Sequence, residues 1–405
     1  MPGQRIPRTV VALSLVSLLT DVSSEMIYPL VPTFLATVLG ASALSVGAIE
    51  GTAETVAAVL KYYSGAWSDR LRRRKPLVVA GYLIASVLRP LTGVAQGAGQ
   101  VFAIRVGDRI GKGIRSAPRD AMLADSVAPA ERGRAYGFHR SADHLGAVLG
   151  PLVAFVLLQW GGVSLRTVFV LAAVPAALAM VVLVVGVREE GVAQRDGTAG
   201  EGRVRGGGGG EARLKAGGGP APLGRRFYAY LAVLLLFTLG NSTDAFLLLR
   251  ARDLGVTAAM IPVLWAALHV VKSAASTPAG ALSDRAGRRA LIVAGWVTYA
   301  AVYLGFARAS GHWAAWGLFL AYGVFYGLTE GVEKALVADL VPAAARGRAF
   351  GWYNLALGIG ALPASLLFGA VWDAWGAPAA FTMGAALAAF SAALLLVVVP
   401  RRIAP

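Results

Sequence analysis

The sequence GAWSDRLRRR at residues 65–74 returns as GALSDRAGRR at residues 280–289. A second block, ADSVAPAERGRAYGF at residues 124–138, returns as ADLVPAAARGRAFGW at residues 338–352. Both repeats lie about 215 positions apart, which indicates that one unit was duplicated and that its two copies run in the same direction. Because two unrelated blocks recur at one spacing, a chance match does not explain them.

The composition indicates that each unit lies in a membrane. Hydrophobic residues make up 57% of the 405 residues, charged residues only 15%, and the mean hydropathy is +0.63, which excludes most soluble enzymes. Long apolar runs recur between short polar loops. They predict helices 1 to 12 near residues 9–37, 43–66, 76–96, 99–121, 133–158, 165–187, 226–250, 258–281, 290–309, 312–338, 347–372 and 377–399.

The positive charge is concentrated in alternate loops. In a soluble protein the net charge of +16 would suggest a nucleic-acid partner. Here the arginines crowd into particular loops, at 70–75, 115–134, 285–289 and 346–348. The loops at 37–45 and 92–100 carry no charge. The positive-inside rule therefore predicts a multi-pass protein of the cell inner membrane with both termini in the cytoplasm, and no nucleic-acid partner.

A basic, glycine-rich stretch separates the two units. Residues 188–225 include an unbroken run of glycines at 206–210 and no apolar segment long enough to pack. We predict an N-terminal six-helix bundle over residues 1–187, a flexible cytoplasmic linker over 188–225 and a C-terminal six-helix bundle over 226–405. The chain has no cysteine, so it has neither a disulfide framework nor a thiolate metal site.

The duplicated signature resembles that of the Major Facilitator Superfamily, in the loop between helices 2 and 3, and the resemblance extends over nearly the whole chain. The second copy has Gly287 at the usual glycine position, where the first copy has Arg72. The resemblance implies an all-α membrane protein, with twelve transmembrane helices in two pseudo-symmetric bundles that rock around a central cavity. Substrate would then bind near the middle of the bilayer.

The signature residues are candidates for gating. A carboxylate at the end of a helix is stabilised by the partial positive charge of a neighbouring helix N-terminus, and arginines bind carboxylates or lipid phosphates. Such contacts would hold one conformation of the transporter, although solvated positive-inside residues would give the same pattern. The candidates are Gly65, Asp69, Arg70 and Arg73 in the first copy and Gly280, Asp284, Arg285 and Arg288 in the second.

Two further motifs resemble those of bacterial proton-coupled antiporters and favour export. Gly146, Gly150 and Pro151 on helix 5, which are gating candidates, resemble an antiporter element whose usual trailing glycines are replaced here by Ala154 and Phe155. Arg105 on helix 4 loosely resembles the intramembrane arginine of drug/proton antiporters. The block at residues 108–120 resembles a bacterial subgroup that includes proteins linked to metal resistance. The two glycines also allow close helix packing, which by itself would explain them.

Ionisable residues inside the apolar runs are candidates for substrate binding and proton coupling, because charges in a membrane are costly. A buried carboxylate with no cation beside it can take up a proton near neutral pH. The candidates are Asp21 and Glu25 on helix 1, Glu50 and Glu54 on helix 2, Arg105 on helix 4, Asp244 on helix 7, and His269 and Lys272 on helix 8. For Glu50 and Glu54, the equal alternative to a role in transport is a position at a helix end in contact with water. For His269 and Lys272, the alternative is a structural ion pair or hydrogen bond.

Charges on helices 4, 5 and 10 are further gating candidates. Asp108 and Arg109 lie on one polar stripe of helix 4, and His139 and Asp143 are four residues apart on helix 5. Ion pairs between these helices would close the cytoplasmic side. Glu333 and Lys334 stand where the first unit has the opposite charge order, which suits pairing between the halves.

Together these features predict a secondary transporter that exports a small solute, such as an organic cation, a metal ion or a drug-like compound, in exchange for protons. The alternatives are a proton-coupled uptake symporter and, from another class, a membrane enzyme or lipid-handling protein. The string at 107–112 superficially suggests a phosphate loop, but Gly113 stands where Ser or Thr is required. We expect no cofactor, no dedicated metal site, contact with membrane lipids and a monomeric state.

Overall fold

The computed structural model describes residues 6–70, 74–127, 132–187, 223–342 and 345–399. Within these ranges the regular structure is entirely helical. Helices 1 to 6 span Arg8–Thr37, Ala43–Arg70, Lys75–Val94, Ala98–Asp125, Arg132–Gln159 and Leu165–Gly186. Helices 7 to 12 span Arg225–Asp253, Ile261–Ala286, Arg288–Arg308, His312–Asp339, Arg346–Trp375 and Ala377–Val398.

Nine helices in the described part of the chain are long and apolar enough to cross a membrane. The other three long helices are 4, 8 and 10, which carry many of the ionisable candidates. Helix 4 packs against helices 2 and 3, and helix 10 packs against helices 8 and 9. Their polar faces therefore contact neighbouring helices, where charged groups find partners that lipid does not offer.

The two halves repeat the same packing scheme. In the first half, helix 1 contacts helices 5 and 6, helix 4 contacts helices 2 and 3, and helix 3 contacts helix 6. In the second half, the matching pairs are 7 with 11 and 12, 10 with 8 and 9, and 9 with 12. The halves meet where helix 2 packs on helix 11 and helix 5 on helix 8. The predicted twelve-helix fold of two pseudo-symmetric bundles is thus confirmed.

Helix 2 and helix 11 approach closely because glycines lie at their interface. A Cβ added at Gly51 would lie 2.9 Å from the Cα of Leu362, and one added at Gly369 would lie 2.7 Å from the Cα of Leu44. Neither distance is compatible with a side chain at the present separation of the two backbones. The glycines therefore fix how closely the two halves approach each other.

The first helix of each half is interrupted, which the sequence analysis did not predict. Helix 1 tightens into a 3₁₀ turn at Tyr28–Leu30, where Pro29 and Pro32 remove backbone donors. Helix 7 is broken between Gly240 and Ala245, where Asn241 leaves the helical conformation with φ −99° and ψ 80°. Interrupted membrane helices expose polar backbone groups that line cavities.

The predicted linker at residues 188–225 falls almost wholly outside the described residues, and helix 7 begins at Arg225. The proposed division into residues 1–187, 188–225 and 226–405 therefore stays a prediction.

Candidate transport site between the two halves

A cavity of about 830 Å³ lies between the two halves, within the range of about 300–1,000 Å³ that is usual for small-molecule sites. Helices 1, 2 and 4 line it from the first half and helices 7, 10 and 11 from the second. The break in helix 7 contributes residues 241–244 to the wall. The cavity extends along helices 2, 4 and 11 as far as Tyr62, Asp120 and Gly351, towards the end of the protein that carries the basic loops.

The opposite end of the protein is closed by a contact between the halves. The carboxylate of Asp373 on helix 11 accepts hydrogen bonds of 2.9 Å from the backbone amides of both Ala43 and Leu44, at the start of helix 2. The first amides of a helix have no partner within the helix, so a carboxylate there is favoured by hydrogen bonding and by the helix dipole. One half thus caps a helix of the other.

Two ion pairs join helix 2 to helix 4 beside the cavity. Glu50 accepts two hydrogen bonds from Arg105, at 2.9 and 2.6 Å, and both side chains are buried. One turn further along, the Arg109 guanidinium lies 2.8 Å from Glu54, whose side chain is 46% exposed towards the cavity. Glu50 is therefore in the protein interior rather than at a watery helix end, and Glu54 is only partly shielded.

A third pair neutralises Asp108. Its Oδ1 accepts hydrogen bonds of 3.2 and 2.8 Å from Arg89 on helix 3, which also donates to the carbonyl of Thr20 on helix 1. Arg105 lies 3.8 Å from the other carboxylate oxygen of Asp108. Arg89 was not among the sequence candidates, although a charged residue inside the apolar run of helix 3 was a visible signal.

Asp244 is bound differently from the other acidic residues of the cavity. It lies at the end of the helix 7 break, and its carboxylate accepts hydrogen bonds from the hydroxyls of Tyr322, at 2.7 Å, and Tyr326, at 3.0 Å. Within the described part of the chain no cation lies within 4 Å of it. Both tyrosines are on helix 10, four residues apart, so this carboxylate is held by a single helix face.

Asp21 and Glu25 lie where helix 1 packs on helix 5, and they do not line the cavity. A Cβ added at Gly146 would lie 2.8 Å from the Cβ of Asp21, and one added at Gly150 would lie 2.9 Å from the Cβ of Glu25. Glu25 accepts a 2.8 Å hydrogen bond from Trp265 of the other half. The glycines of the predicted antiporter element thus make room for the two helix 1 acids.

Comparison with known proteins identifies the fold. The family model described as Major Facilitator Superfamily matches residues 13–250 and 229–405, which is nearly the whole chain. The chain belongs to this superfamily. It is a multi-pass membrane transporter and not an enzyme.

Among related sequences, an uncharacterized MFS-type transporter of Methanocaldococcus jannaschii is 31% identical over 399 residues, covering 97% of this chain and 95% of the relative. The multidrug resistance protein MdtH of Cronobacter sakazakii is 32% identical over 135 residues, one third of each chain. The solved structure of a mutant of the nucleoside transporter NupG aligns with a TM-score of 0.77 at 12% identity, covering 96% of this chain and 99% of that one. At that identity the structural match shows the fold alone.

The helix 8 candidates of the transporter lie outside the cavity lining. Lys272 lies 3.0 Å from Glu330 on helix 10, and the Nε2 atom of His269 is buried without a hydrogen-bond partner in the described part of the chain. Glu330, which the sequence analysis did not select, also lies 3.6 Å from Arg140 of the first half and 3.8 Å from Lys334. It therefore joins helices 5, 8 and 10.

The charged gating candidates of helices 5 and 10 have partners within their own half. The Nε2 of His139 lies 3.7 Å from Asp143, one turn away on helix 5. Glu333 is buried and accepts hydrogen bonds from Trp296, at 3.0 Å, and Tyr353, at 2.9 Å. Arg119, its counterpart in the repeat, binds Asp120 at 2.8 Å and Ser17. The expected pairing of Glu333 with the opposite half is thus not the contact that this structure contains.

The signature loops join the two repeated sequence blocks. Arg288 lies 3.4 Å from Asp339 at the end of helix 10, and Arg74, one position past the counterpart of Arg288 in the repeat, makes the corresponding pair with Asp125 at the end of helix 4. Next to them, Arg289 donates to the carbonyls of Leu396 and Val399 at the end of helix 12.

Lys75 makes the same contacts in the first half, with the carbonyls of Val184 and Val187 at the end of helix 6. These contacts explain why the two blocks recur together.

Part of the first signature cannot be placed. Gly65, Asp69 and Arg70 belong to helix 2, but the surroundings of Gly65 and the side chains of Asp69 and Arg70 lie outside the described part of the structure, as does the side chain of Asp284. Arg73 lies outside the described residues altogether. Gly280 and Arg285 lie in the last turns of helix 8, which ends at Ala286 and is followed by Gly287 with φ 91°. Pro151 lies inside helix 5. The roles assigned to all these residues stay predictions.

Proposed function

We propose that the transporter exports a small solute from the cell in exchange for protons, by alternating access. In this proposal residues 1–187 and 226–405 move as two bundles joined by the cytoplasmic segment 188–225. The protein acts as a monomer in the inner membrane, surrounded by lipid, with both termini in the cytoplasm.

The observation that carries the proposal is the environment of Asp244. Protonation of Glu50 would leave the buried Arg105 without its counter-charge, so this carboxylate is a poor site for an exchangeable proton, and Glu54 is held 2.8 Å from the Arg109 guanidinium. In the described part of the chain Asp244 accepts hydrogen bonds only from tyrosine hydroxyls, which donate to a carboxylate and can accept from a carboxylic acid. Lys272, whose ammonium lies 4.2 Å from the ring centre of Tyr326, is already paired with Glu330. A proton can therefore bind and leave this residue without uncovering another buried charge.

The position of Asp244 supports exchange between proton and cargo. It lies in the cavity wall, at the break of helix 7, where a cargo molecule and a proton would compete for the same carboxylate. Asp21, which has no hydrogen bond or ion pair through its carboxylate in the described part of the chain, is a second proton site in this proposal.

Three observations support export. The cavity extends towards the basic loops, which the positive-inside rule assigns to the cytoplasm. The antiporter-like glycines of helix 5 lie against the helix 1 acids. A relative that matches one third of this chain bears the name multidrug resistance protein.

Transport in proteoliposomes with an imposed pH gradient tests the coupling. Candidate solutes, beginning with organic cations and divalent metals, are screened for solute-dependent proton movement with a pH-sensitive dye. We expect Asp244→Asn to abolish proton-driven flux while solute exchange without a gradient continues. Asp253→Asn, the same change on the same helix but away from the cavity lining, should behave as the unchanged protein. Proton-driven flux at the normal rate in Asp244→Asn would refute the assignment.

Labelling of single cysteines in whole cells tests the orientation, and the natural chain has no cysteine to interfere. A membrane-impermeant maleimide should label Gln100→Cys in intact cells and Thr198→Cys only after the membrane is permeabilised. The opposite pattern would reverse the orientation, and with it the proposed direction of loading.

A further inference from the structure

The charged side chains that line the cavity divide into those with partners and those without. Glu50, Glu54 and Asp120 each lie within 3 Å of an arginine. Three lining residues make no ion pair in the described part of the chain: Asp244 from the second half, and Lys61 and Lys112 from the first. The cavity therefore presents unmatched charges of both signs.

Of the two lysines, Lys112 is the one that follows Arg105 and Arg109 on helix 4. It follows Arg109 by three residues on helix 4, and no carboxylate lies within 4 Å of its ammonium in the described part of the chain. The acidic residues of the first half that line the cavity are Glu50, Glu54 and Asp120, and each is already paired with an arginine, so none of them is left to pair with Lys112. Lys61 lies nearer the basic end of the cavity, and its acidic neighbour is Asp120.

The two unmatched central charges come from opposite halves of the transporter. Lys112 belongs to helix 4, and Asp244 lies at the break of helix 7. A purely cationic cargo would satisfy Asp244 but bring a positive charge towards Lys112, and a purely anionic cargo would create the opposite conflict. Unpaired charges in a partly desolvated cavity cost free energy that a ligand of matching charge recovers.

We propose that the natural cargo is amphoteric, with a basic group that binds Asp244 and an acidic group that binds Lys112. The proposal rests on the proposed function only in taking this cavity as the transport site. Tyr28 and Tyr326 also line the cavity and would border the part of the cargo between its two charged groups. Such a molecule would contact both halves at once through its charges.

Matched pairs of an amphoteric acid and its methyl ester test this inference. The panel runs from an amino acid and its ester, through a dipeptide and its ester, to tetramethylrhodamine and its ester, so that within each pair a carboxylate is replaced by an uncharged methyl ester. Binding to the purified full-length protein is measured by the ligand-induced rise in unfolding temperature and, for the dyes, by fluorescence polarisation. For at least one pair we expect the acid to bind about tenfold more tightly than the ester, a difference of about 1.4 kcal/mol.

Variants at Lys112 show whether this lysine is the cause. Lys112→Gln should remove the preference for the acid and leave binding of the ester unchanged, whereas Lys112→Arg should retain the preference. Lys61→Gln is the matched control, and it should leave the preference in place.

The inference is wrong if every ester binds as tightly as its acid, if no pair binds, or if Lys112→Gln weakens both members of a pair equally. Because binding is measured without a pH gradient, this failure is distinct from failure of proton exchange. Proton-driven export of the esters alone would leave the proposed function intact and remove the amphoteric cargo.

Discussion

Neutralising Glu50 should destabilise the transporter far more than neutralising Glu54, although the two residues are one turn apart on helix 2. The Glu50–Arg105 pair is buried on both sides, with side-chain exposures of 1% and 6%. Removing one partner of a buried pair costs about 3–5 kcal/mol, because the other charge stays buried. After Glu50→Gln, Arg105 keeps only Asp108 at 3.8 Å, and Asp108 already binds Arg89, so we expect a loss of at least about 3 kcal/mol.

The Glu54–Arg109 pair supplies the control. Its carboxylate is 46% exposed to the cavity, so water replaces the arginine when Glu54→Gln removes the charge, and the expected loss is about 0–1 kcal/mol. Each variant is purified in detergent and heated while the fluorescence of the nine tryptophans is followed. Glu50→Gln should unfold at a clearly lower temperature than Glu54→Gln.

A double substitution separates burial of charge from loss of packing. Glu50→Leu combined with Arg105→Met removes both charges and leaves apolar side chains of similar length, a change that is often neutral or stabilising for buried pairs. The double variant should therefore recover most of the unfolding temperature lost in Glu50→Gln. Equal unfolding temperatures for Glu50→Gln and Glu54→Gln would refute the reasoning, because burial would then not decide the cost.

Three further predictions follow from contacts between helices. Gly150→Ala places a Cβ 2.6 Å from a backbone oxygen of helix 1 and should lower the free energy of unfolding by about 1–3 kcal/mol. Gly331→Ala meets open space and should stabilise helix 10 by about 0.5–1 kcal/mol. Thermal unfolding of the two variants compares them directly. Asp373→Ala removes the acceptor for two amides of helix 2, at a cost of about 0.5–2 kcal/mol, and should raise the maleimide reactivity of a single cysteine placed at the closed end; unchanged reactivity would contradict a role in closure. Arg140→Ala should change the unfolding temperature by no measurable amount, because this arginine is 61% exposed and lies 3.6 Å from Glu330; a large decrease would show that the contact between the halves is stronger than its exposure indicates.

The sequence predicted the helices well, because membrane-length apolar runs and charged loops mark their ends. Helix 5 was expected near 133–158 and spans Arg132–Gln159, and helix 10 was expected near 312–338 and spans His312–Asp339. The main features of the fold that the sequence analysis did not predict are the breaks in helices 1 and 7. Their signals were present in Pro29, Pro32 and the polar run at 241–244, but an apolar average over a whole segment conceals a local interruption.

The candidate site was predicted less completely, since ion pairs between helices depend on which faces meet. The sequence selected Glu50 and Arg105 separately, as costly charges, and no spacing rule joins residues 55 positions apart. It did not select Glu330 or the tyrosine hydroxyls that bind Asp244. Two tyrosines four residues apart are common on apolar helices, and only the neighbouring carboxylate gives this pair a specific contact.

The matching contacts of Lys75 and Arg289 have a mechanical consequence. Each side chain ties the start of the third helix of its half to the end of the sixth, and the neighbouring arginine ties the same corner to the end of the fourth. Each half is thus braced internally at the end that bears the basic loops. Movement is then expected between the halves, at surfaces that include helix 2 against 11 and helix 5 against 8, and each half is expected to pivot as a stiff body.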